Sequence, residues 1–240
     1  MSQKEQPESR TAIDDINDSL TKAEQRVQNN KKLIMWACIA VAVVVIATLL
    51  FIYAYLRPSR NAADTQYGLA SNMAANYEMS APMLDSAATA QQLDAVTKAF
   101  EEAATRSHDG GNNAKLMSAI YEFKKGDYNK ALTYLNDYDK KDAIIAALSE
   151  CLKGDCYVNL DKFPEAIECF SKATDLSDEN PMVAPYAMMK EATVQRHLKN
   201  YSAEAELYEQ ITTKYPGYGV SINTNIENYL ERAKADAAKK

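Results

Sequence analysis

GDCYVNLDKFPEAIECFSKA, residues Gly154–Ala173, is the stretch that decides the fold of this chain. Its first part predicts the end of a helix, in which Gly154 is small enough to let a second helix approach closely. Phe163 begins that second helix and fills the turn between the two. Ala166 lets the second helix pack closely, and Phe170 faces the next unit along the chain. The stretch therefore predicts a helical hairpin.

The same pattern occurs three times along the chain. The three segments are GDYNKALTYL (Gly126–Leu135), DKFPEAIECF (Asp161–Phe170) and KNYSAEAELY (Lys199–Tyr208). Their aromatic anchors stand at positions 128, 163 and 201, which are 35 and 38 residues apart. A period near 34 residues with one helix–turn–helix unit per period is typical of tetratricopeptide repeats (TPR). We therefore predict about three TPR units over residues 112–219.

The third segment departs from this pattern at one position. Ala131 and Ala166 stand three residues after their aromatic anchors, where a small side chain lets the helices pack. Glu204 occupies the same place in the third segment. Because Ala203 and Ala205 flank it, a local shift of the helix is one explanation.

A long apolar run precedes the repeats. Leu33–Leu56 (LIMWACIAVAVVVIATLLFIYAYL) contains no charged residue. As a helix it would be roughly 36 Å long, which is enough to cross a hydrocarbon core of about 30 Å. The run is too long for a signal peptide, and it ends Tyr55-Leu56-Arg57 instead of in small residues. We expect an uncleaved transmembrane helix.

The charges flanking this run predict its orientation. Four cations precede it and two follow it closely, and cytoplasmic flanks are usually the more basic. The six residues are Lys22, Arg26, Lys31, Lys32, Arg57 and Arg60. This bias favours a cytoplasmic N-terminus and a C-terminal domain across the membrane. The reversed topology, a cytosol-facing adaptor, is the alternative.

The segments outside the repeats are also predicted to be helical. Thr11–Asn30 carries one apolar stripe, which predicts a short coiled coil, an interfacial helix or a simple extension of the span. A coiled coil would make the protein a homo-oligomer and a self-associating structural membrane scaffold. Asn61–Met79 and Asp85–Ser107 form either a fourth, degenerate repeat or a separate hairpin, and His108–Asn112 is expected to be a loop. Ser221–Lys239 is expected to cap the array.

The predicted fold class is therefore all-α, with an N-terminal single transmembrane helix followed by a TPR-type helical-hairpin solenoid and a C-terminal capping helix. The low numbers of glycine and proline, seven each, agree with this class. The expected division is residues 1–32 (cytoplasmic tail with a short amphipathic helix), 33–56 (transmembrane helix), 57–111 (helical segment), 112–219 (repeats) and 220–240 (cap).

The composition excludes several functional classes. The net charge is −6, and no basic patch of the kind that binds nucleic acid occurs. The chain has two histidines and no C-x-x-C motif, so we expect no zinc site, and no cofactor motif or catalytic constellation is present. Cys151, Cys156 and Cys169 are expected to be reduced, although one disulfide among them is an alternative. We predict that the chain is not an enzyme.

A concave surface is then the expected site, because TPR units stack their first helices along it. The repeat pattern places nine residues there: Leu116, Ile120, Phe123, Leu152, Asp155, Val158, Met189, Lys190 and Arg196. The groove would be apolar at one end and basic at the other. Alternatively, Leu116, Ile120 and Leu152 are covered by the preceding helix. A clamp for a carboxylate tail is not expected, because Lys190 alone keeps the required chemistry.

The order of tail, Asn29-Asn30-Lys31-Lys32, single span, Arg57-Pro58 and TPR units resembles the single-span TPR family of the bacterial inner membrane. The best-known members of that family are ancillary subunits of the SecYEG translocon. The resemblance implies a periplasmic TPR domain that binds exported polypeptides, the translocon or periplasmic chaperones. It implies a membrane-anchored protein-interaction scaffold.

Overall fold

The computed structural model describes residues 20–22, 28 and 30–239, and the secondary structure within these ranges is helical, without strands. The chain divides into two units, Met1–Pro58 and Ser59–Lys240, which are described separately. The predicted amphipathic helix over Thr11–Asn30 lies almost wholly outside the described residues and stays a prediction.

The first unit contains one long apolar helix. Helix α1 spans Lys31–Phe51 and continues into a π-helical turn over Ile52–Leu56. None of the residues of α1 is buried, and its apolar side chains face outward. The hydroxyl of Thr48 donates to the carbonyl of Val44 at 2.7 Å, so this polar group is satisfied within the helix. The helix is long and apolar enough to cross a membrane.

The second unit begins with two helices that share a core with the first hairpin. Helix α2 spans Arg57–Ser80, of which residues 59–80 belong to the second unit, and is followed by a short 3₁₀ turn at Ala81–Met83, which contains Pro82. Helix α3 spans Ser86–Ala104, and a carboxylate oxygen of Asp85 accepts from the N–H of Ala88 at 2.8 Å to cap it.

The predicted loop at His108–Asn112 is wrong, because these residues form the first turn of helix α4, His108–Lys125. The glycine pair there marks a close approach instead of a turn. A Cβ on Gly110 would lie 2.7 Å from the backbone carbonyl of Ala63, and one on Gly111 would lie 1.8 Å from the carbonyl oxygen of Arg106. Gly110 therefore lets α2 and α4 meet, and Gly111 leaves room for the turn that precedes α4. The expected boundary between 111 and 112 falls inside α4.

Three helical hairpins follow, as the repeats predicted. They pair α4 with α5 (Tyr128–Asp137), α6 (Ala143–Asn159) with α7 (Phe163–Leu176), and α8 (Val183–His197) with α9 (Tyr201–Lys214). Each aromatic anchor is the first residue of the second helix of its hairpin. Successive hairpins pack on one another, since α7 contacts α8 and α5 contacts α6. The fold is a TPR-type helical solenoid.

The three hairpin turns share one backbone conformation. Each contains a residue in the left-handed region two positions before the anchor: Gly126 (φ 85°), Asp161 (φ 57°) and Lys199 (φ 61°). In each turn the next N–H donates to the carbonyl five residues back, over 2.8–3.0 Å. This bond satisfies a terminal carbonyl of the first helix and fixes the direction of the second.

Glu204 occupies the small-residue position without any shift of the helix. Helix α9 begins at Tyr201, so Glu204 stands three residues after its anchor, as Ala131 and Ala166 do. The side chain is fully buried, and its carboxylate accepts from the Nε of Arg196 at 2.7 Å. The local shift considered above is therefore not needed, because an ion pair fills the space.

Each hairpin in fact buries one glutamate, and each glutamate is paired with a cation on the other helix of the same hairpin. The N–O distances are 2.7, 3.2 and 2.7 Å for Glu122 with Lys130, Glu150 with Lys172, and Glu204 with Arg196. The three carboxylates are at most 2% exposed. Burial without a counterion would be costly, so these pairs are required by the packing.

The array ends in a cap. A short helix, α10 (Tyr218–Ser221), leads to α11 (Ile226–Ala237), which packs on α9. Helix α11 begins later than predicted because Asn225 caps it by accepting from the N–H of Asn228 at 3.0 Å. Leu230 and Ala233 point into the core, so the predicted capping helix is present with a shorter span.

Candidate functional site

One face of α8 is left uncovered by the neighbouring helices and forms an open pocket. Four residues of α8, Tyr186, Met189, Lys190 and Thr193, line it together with Tyr218 and Ile222 near α10. The pocket has a volume of about 380 Å³. Its lining is mainly apolar or aromatic, and Lys190 is its charged member. We call it the α8 pocket.

The charge of Lys190 is already engaged. Its ammonium donates to both carboxylate oxygens of Asp155 on α6, at 2.8 and 2.9 Å, and lies 4.9 Å from the centre of the Tyr186 ring. Burial raises the pKa of Asp155, although the hydrogen bond from Lys190 opposes the shift. Burial lowers the pKa of Lys190, but the bonds to Asp155 outweigh it and the net shift is upward. The ion pair therefore ties α8 to α6 and leaves the pocket without a free cation.

The structure thus brings together three of the predicted residues, Asp155, Met189 and Lys190. Arg196 does not line the α8 pocket. Its guanidinium lies 2.7 Å from Glu204 and 3.3 Å from Asp236 on α11. The cation predicted for the basic end of the groove therefore pairs with acidic groups of α9 and α11.

The predicted residues of the second hairpin are half-buried. Leu152 packs against the core between α4, α5 and α6, and Val158 packs against the core between α6, α7 and α8. Sequence reasoning missed two more apolar residues on α6. Ile145 and Leu148 are 40% and 43% exposed. They precede Leu152 by seven and four residues, so helical spacing alone could have found them.

The predicted residues of the first hairpin are also half-buried. Leu116 and Phe123 pack against the core shared by α4, α5 and α6, and the ring of Phe123 meets Tyr128 edge-on at 5.4 Å. Ile120 lies on the same helix. Leu116 and Phe123 are thus partly covered by their own hairpin and by the hairpin that follows.

The described residues offer no obvious catalytic or metal chemistry. Within ranges 20–22, 28 and 30–239, no group of three or more His, Cys, Asp or Glu could hold a metal ion. The cysteines there are free. Burial raises the pKa of Cys151 and Cys156 to about 12, and that of Cys169 to about 11, so none is an activated nucleophile. The Nε2 of His108 lies 3.1 Å from the hydroxyl of Ser59.

Comparison with known proteins finds a tetratricopeptide repeat in the last hairpin of this chain. A tetratricopeptide-repeat family model matches residues 186–218, which include most of α8, all of α9 and most of the α8 pocket. The crystal structure of MamA matches 63% of this chain and 92% of its own, with 16% identity and a TM-score of 0.46. The complex of the TPR2AB domain of yeast Sti1 with pHSP90 matches 89% of this chain and 99% of its own, with 17% identity and a TM-score of 0.40. No protein of curated function matches the chain.

Proposed function

We propose that this chain is a membrane-anchored TPR scaffold that binds segments of exported or envelope proteins on the inner face of its solenoid. The observation that carries this proposal is the α8 pocket, an open and mainly apolar surface on the first helix of a TPR hairpin. TPR proteins are in general interaction modules and not enzymes. The translocon and periplasmic chaperones are the partners suggested by the family resemblance.

The chemistry of the α8 pocket favours an apolar segment over an acidic one. A carboxylate-terminated peptide would have to compete with Asp155, which already accepts two hydrogen bonds from Lys190. Tyr186, Met189 and Ile222 instead offer apolar surface that is partly open to solvent. An unfolded chain exposes such aliphatic and aromatic groups before it folds. Burial of each large apolar side chain contributes about 1.5–3 kcal/mol, so two or three give useful but reversible binding.

The apolar surface continues beyond the pocket. Ile145 and Leu148 on α6 are exposed, and Asp155 on the same helix makes the ion pair with Lys190. A segment lying across α6 and α8 would therefore meet apolar groups from two hairpins. This arrangement suits partners with little sequence similarity to one another, because contacts to aliphatic side chains distinguish weakly between different apolar segments.

Photo-crosslinking in intact cells tests this proposal. A photoreactive residue at Thr193, which lines the α8 pocket and is exposed, should capture envelope or exported proteins. The same residue at Thr133, exposed on α5, is the matched control and should capture far fewer. Met189→Glu places a charge in the pocket and should reduce capture from Thr193 about tenfold or more. Recovery of cytosolic proteins alone would contradict the proposal.

The membrane anchor is a separate part of the proposal. Its support is the exposed apolar helix α1 with its π-helical extension, and the excess of cations before it. We propose that it places residues 59–240 in the periplasm of a bacterial cell. Protease added to spheroplasts should then digest this unit, and protease added to inverted vesicles should not. The opposite pattern would indicate the cytosol-facing adaptor.

A further inference from the structure

Three lysines surround one oxygen of the buried carboxylate of Glu150. Lys140, from the link between α5 and α6, contacts this oxygen directly. The ammonium groups of Lys172 on α7 and Lys153 on α6 lie 3.2 and 3.7 Å from it. Glu150 is 2% exposed, and the side chain of Lys153 is 12% exposed. Four charged groups, from α6, α7 and the link before α6, therefore meet at a single point.

The charges at this point do not balance. Three cations and one carboxylate leave a net charge of +2. Glu168 on α7 is a nearby acid whose charge helps to raise the pKa of the Cys169 thiol. If Glu168 is counted as well, the net charge is still +1. Burial lowers the pKa of Lys153, and repulsion by Lys140 lowers it further, whereas Glu150 opposes the shift. Lys153 is thus a nearly buried cation whose single carboxylate partner is shared with two others.

The buried Glu122 shows that the fold does not require such an excess. Glu204 and Asp236 face Arg196 and Arg232, and Lys239 also pairs with Asp236, so that cluster carries +1. The cluster around Glu122 contains three acids and three lysines, namely Asp94, Glu101 and Glu122 with Lys98, Lys125 and Lys130. The cluster around Glu122 is neutral. One lysine would neutralise Glu150, so two further lysines add repulsion that an anion would relieve.

We propose that Lys140, Lys153 and Lys172 form a binding site for a phosphate group, either inorganic phosphate or the headgroup of an anionic phospholipid. Lysine binds phosphate as a point charge, and the tetrahedral oxygens of phosphate can accept from ammonium groups that converge from different directions. None of these lysines lines the α8 pocket, so the site is independent of the proposed peptide-binding surface.

The test is thermal unfolding of the full chain in micelles of a neutral detergent. In one arm sodium phosphate replaces sodium chloride at constant ionic strength. In the other arm phosphatidylglycerol is added to the micelles without free phosphate. The midpoint should rise in a saturable way in at least one arm, and the responding arm identifies the source of the phosphate group. Absence of a response in both arms overturns the proposal.

Variants distinguish phosphate binding at this site from a general screening of charges by salt. Lys172→Met, whose side chain is 57% exposed, and Lys153→Met should each weaken the apparent phosphate affinity about tenfold or more. Lys98→Met, in the neutral cluster on α3, is the matched control and should keep the full response. Glu150→Gln should strengthen the response because the surplus charge rises. An unchanged response in Lys172→Met, which should fold even if Lys153→Met does not, would refute the site.

Discussion

Replacement of Gly154 by alanine adds one methyl group to α6 at the point where α7 passes it. A Cβ built on this backbone lies 2.4 Å from Cε1 and 2.7 Å from Cζ of the Phe170 ring. Carbon atoms in contact are normally about 3.5–4.0 Å apart. Phe170 is 1% exposed and belongs to the core between α6, α7 and α8. The methyl group therefore fits only if the Phe170 ring is displaced or the two helices move apart.

Two opposing terms decide the size of the effect. At an open position in a helix, replacing glycine with alanine stabilises by about 1 kcal/mol. Overpacking a filled core costs about 1–3 kcal/mol, and the upper value applies at Gly154 because the displaced group is a buried aromatic ring. The net loss in the free energy of unfolding is about 2 kcal/mol. For a unit of this size, the unfolding midpoint should fall by about 4–8 °C.

The assay is thermal and urea unfolding of the full chain in detergent micelles, followed by circular dichroism. Gly68→Ala is the matched control, because Gly68 lies within α2 and no atom lies within 4 Å of its added Cβ. That variant should be more stable than the wild type by up to about 1 kcal/mol. The two alanine substitutions should therefore shift the midpoint in opposite directions.

A second substitution separates the steric clash from other causes. Phe170→Leu shortens the side chain that meets the methyl group. In the double variant with Gly154→Ala, the loss of stability should be smaller than the sum of the two single losses by about 1 kcal/mol. If Gly154→Ala is as stable as Gly68→Ala, or if the two losses add without coupling, the close approach of α6 and α7 is wrong.

Three other variants probe the second unit. Arg196→Met should lower the free energy of unfolding by about 3 kcal/mol, because Glu204 stays buried with only the more distant Arg232. Adding Glu204→Ala should recover most of this loss. A loss that is not recovered would contradict the ion-pair explanation. Gly110→Ala should cost about 1–3 kcal/mol by pushing α2 away from α4, and an unchanged urea midpoint would refute that contact. Because burial raises the pKa of Asp155, the folded chain holds this proton more tightly than the unfolded chain. The free energy of unfolding of the wild type, minus that of Asp155→Asn, should therefore fall as the pH rises from about 3.8 through the pKa of the folded state. A difference that grows with pH would contradict this prediction.

The repeat fold could be predicted because its signal is local and recurs. Tyr128, Phe163 and Tyr201 each start a helix, and a spacing near 34 residues requires no knowledge of distant contacts. The errors arose where a residue type had two structural uses. Gly110 and Gly111 suggested a turn, but both lie within a helix, and Gly110 serves a helix crossing whose partner, Ala63, lies more than 40 residues earlier.

The site was harder to predict than the fold for a similar reason. The repeat pattern gives the face of a helix on which a residue lies, but not the partner of its charge. Lys190 and Arg196 both suggested a basic groove, yet each is paired with an acid on another helix. Ile222 completes the α8 pocket from a segment beyond the repeats, and Tyr218 stands at their very end, so the pattern of first helices included neither.

The buried glutamates have a consequence for the fidelity of folding. Similar hairpins in one chain can exchange helices, and misassembly between like units is a common failure of repeat proteins. In this chain the buried acid lies on the first helix of two hairpins, at Glu122 and Glu150, and on the second helix of the last, at Glu204. A helix that docks against the wrong neighbour would separate Glu122 from Lys130 or Glu204 from Arg196, at a cost of up to about 3–5 kcal/mol. We therefore expect these two ion pairs to disfavour incorrect helix pairing during folding.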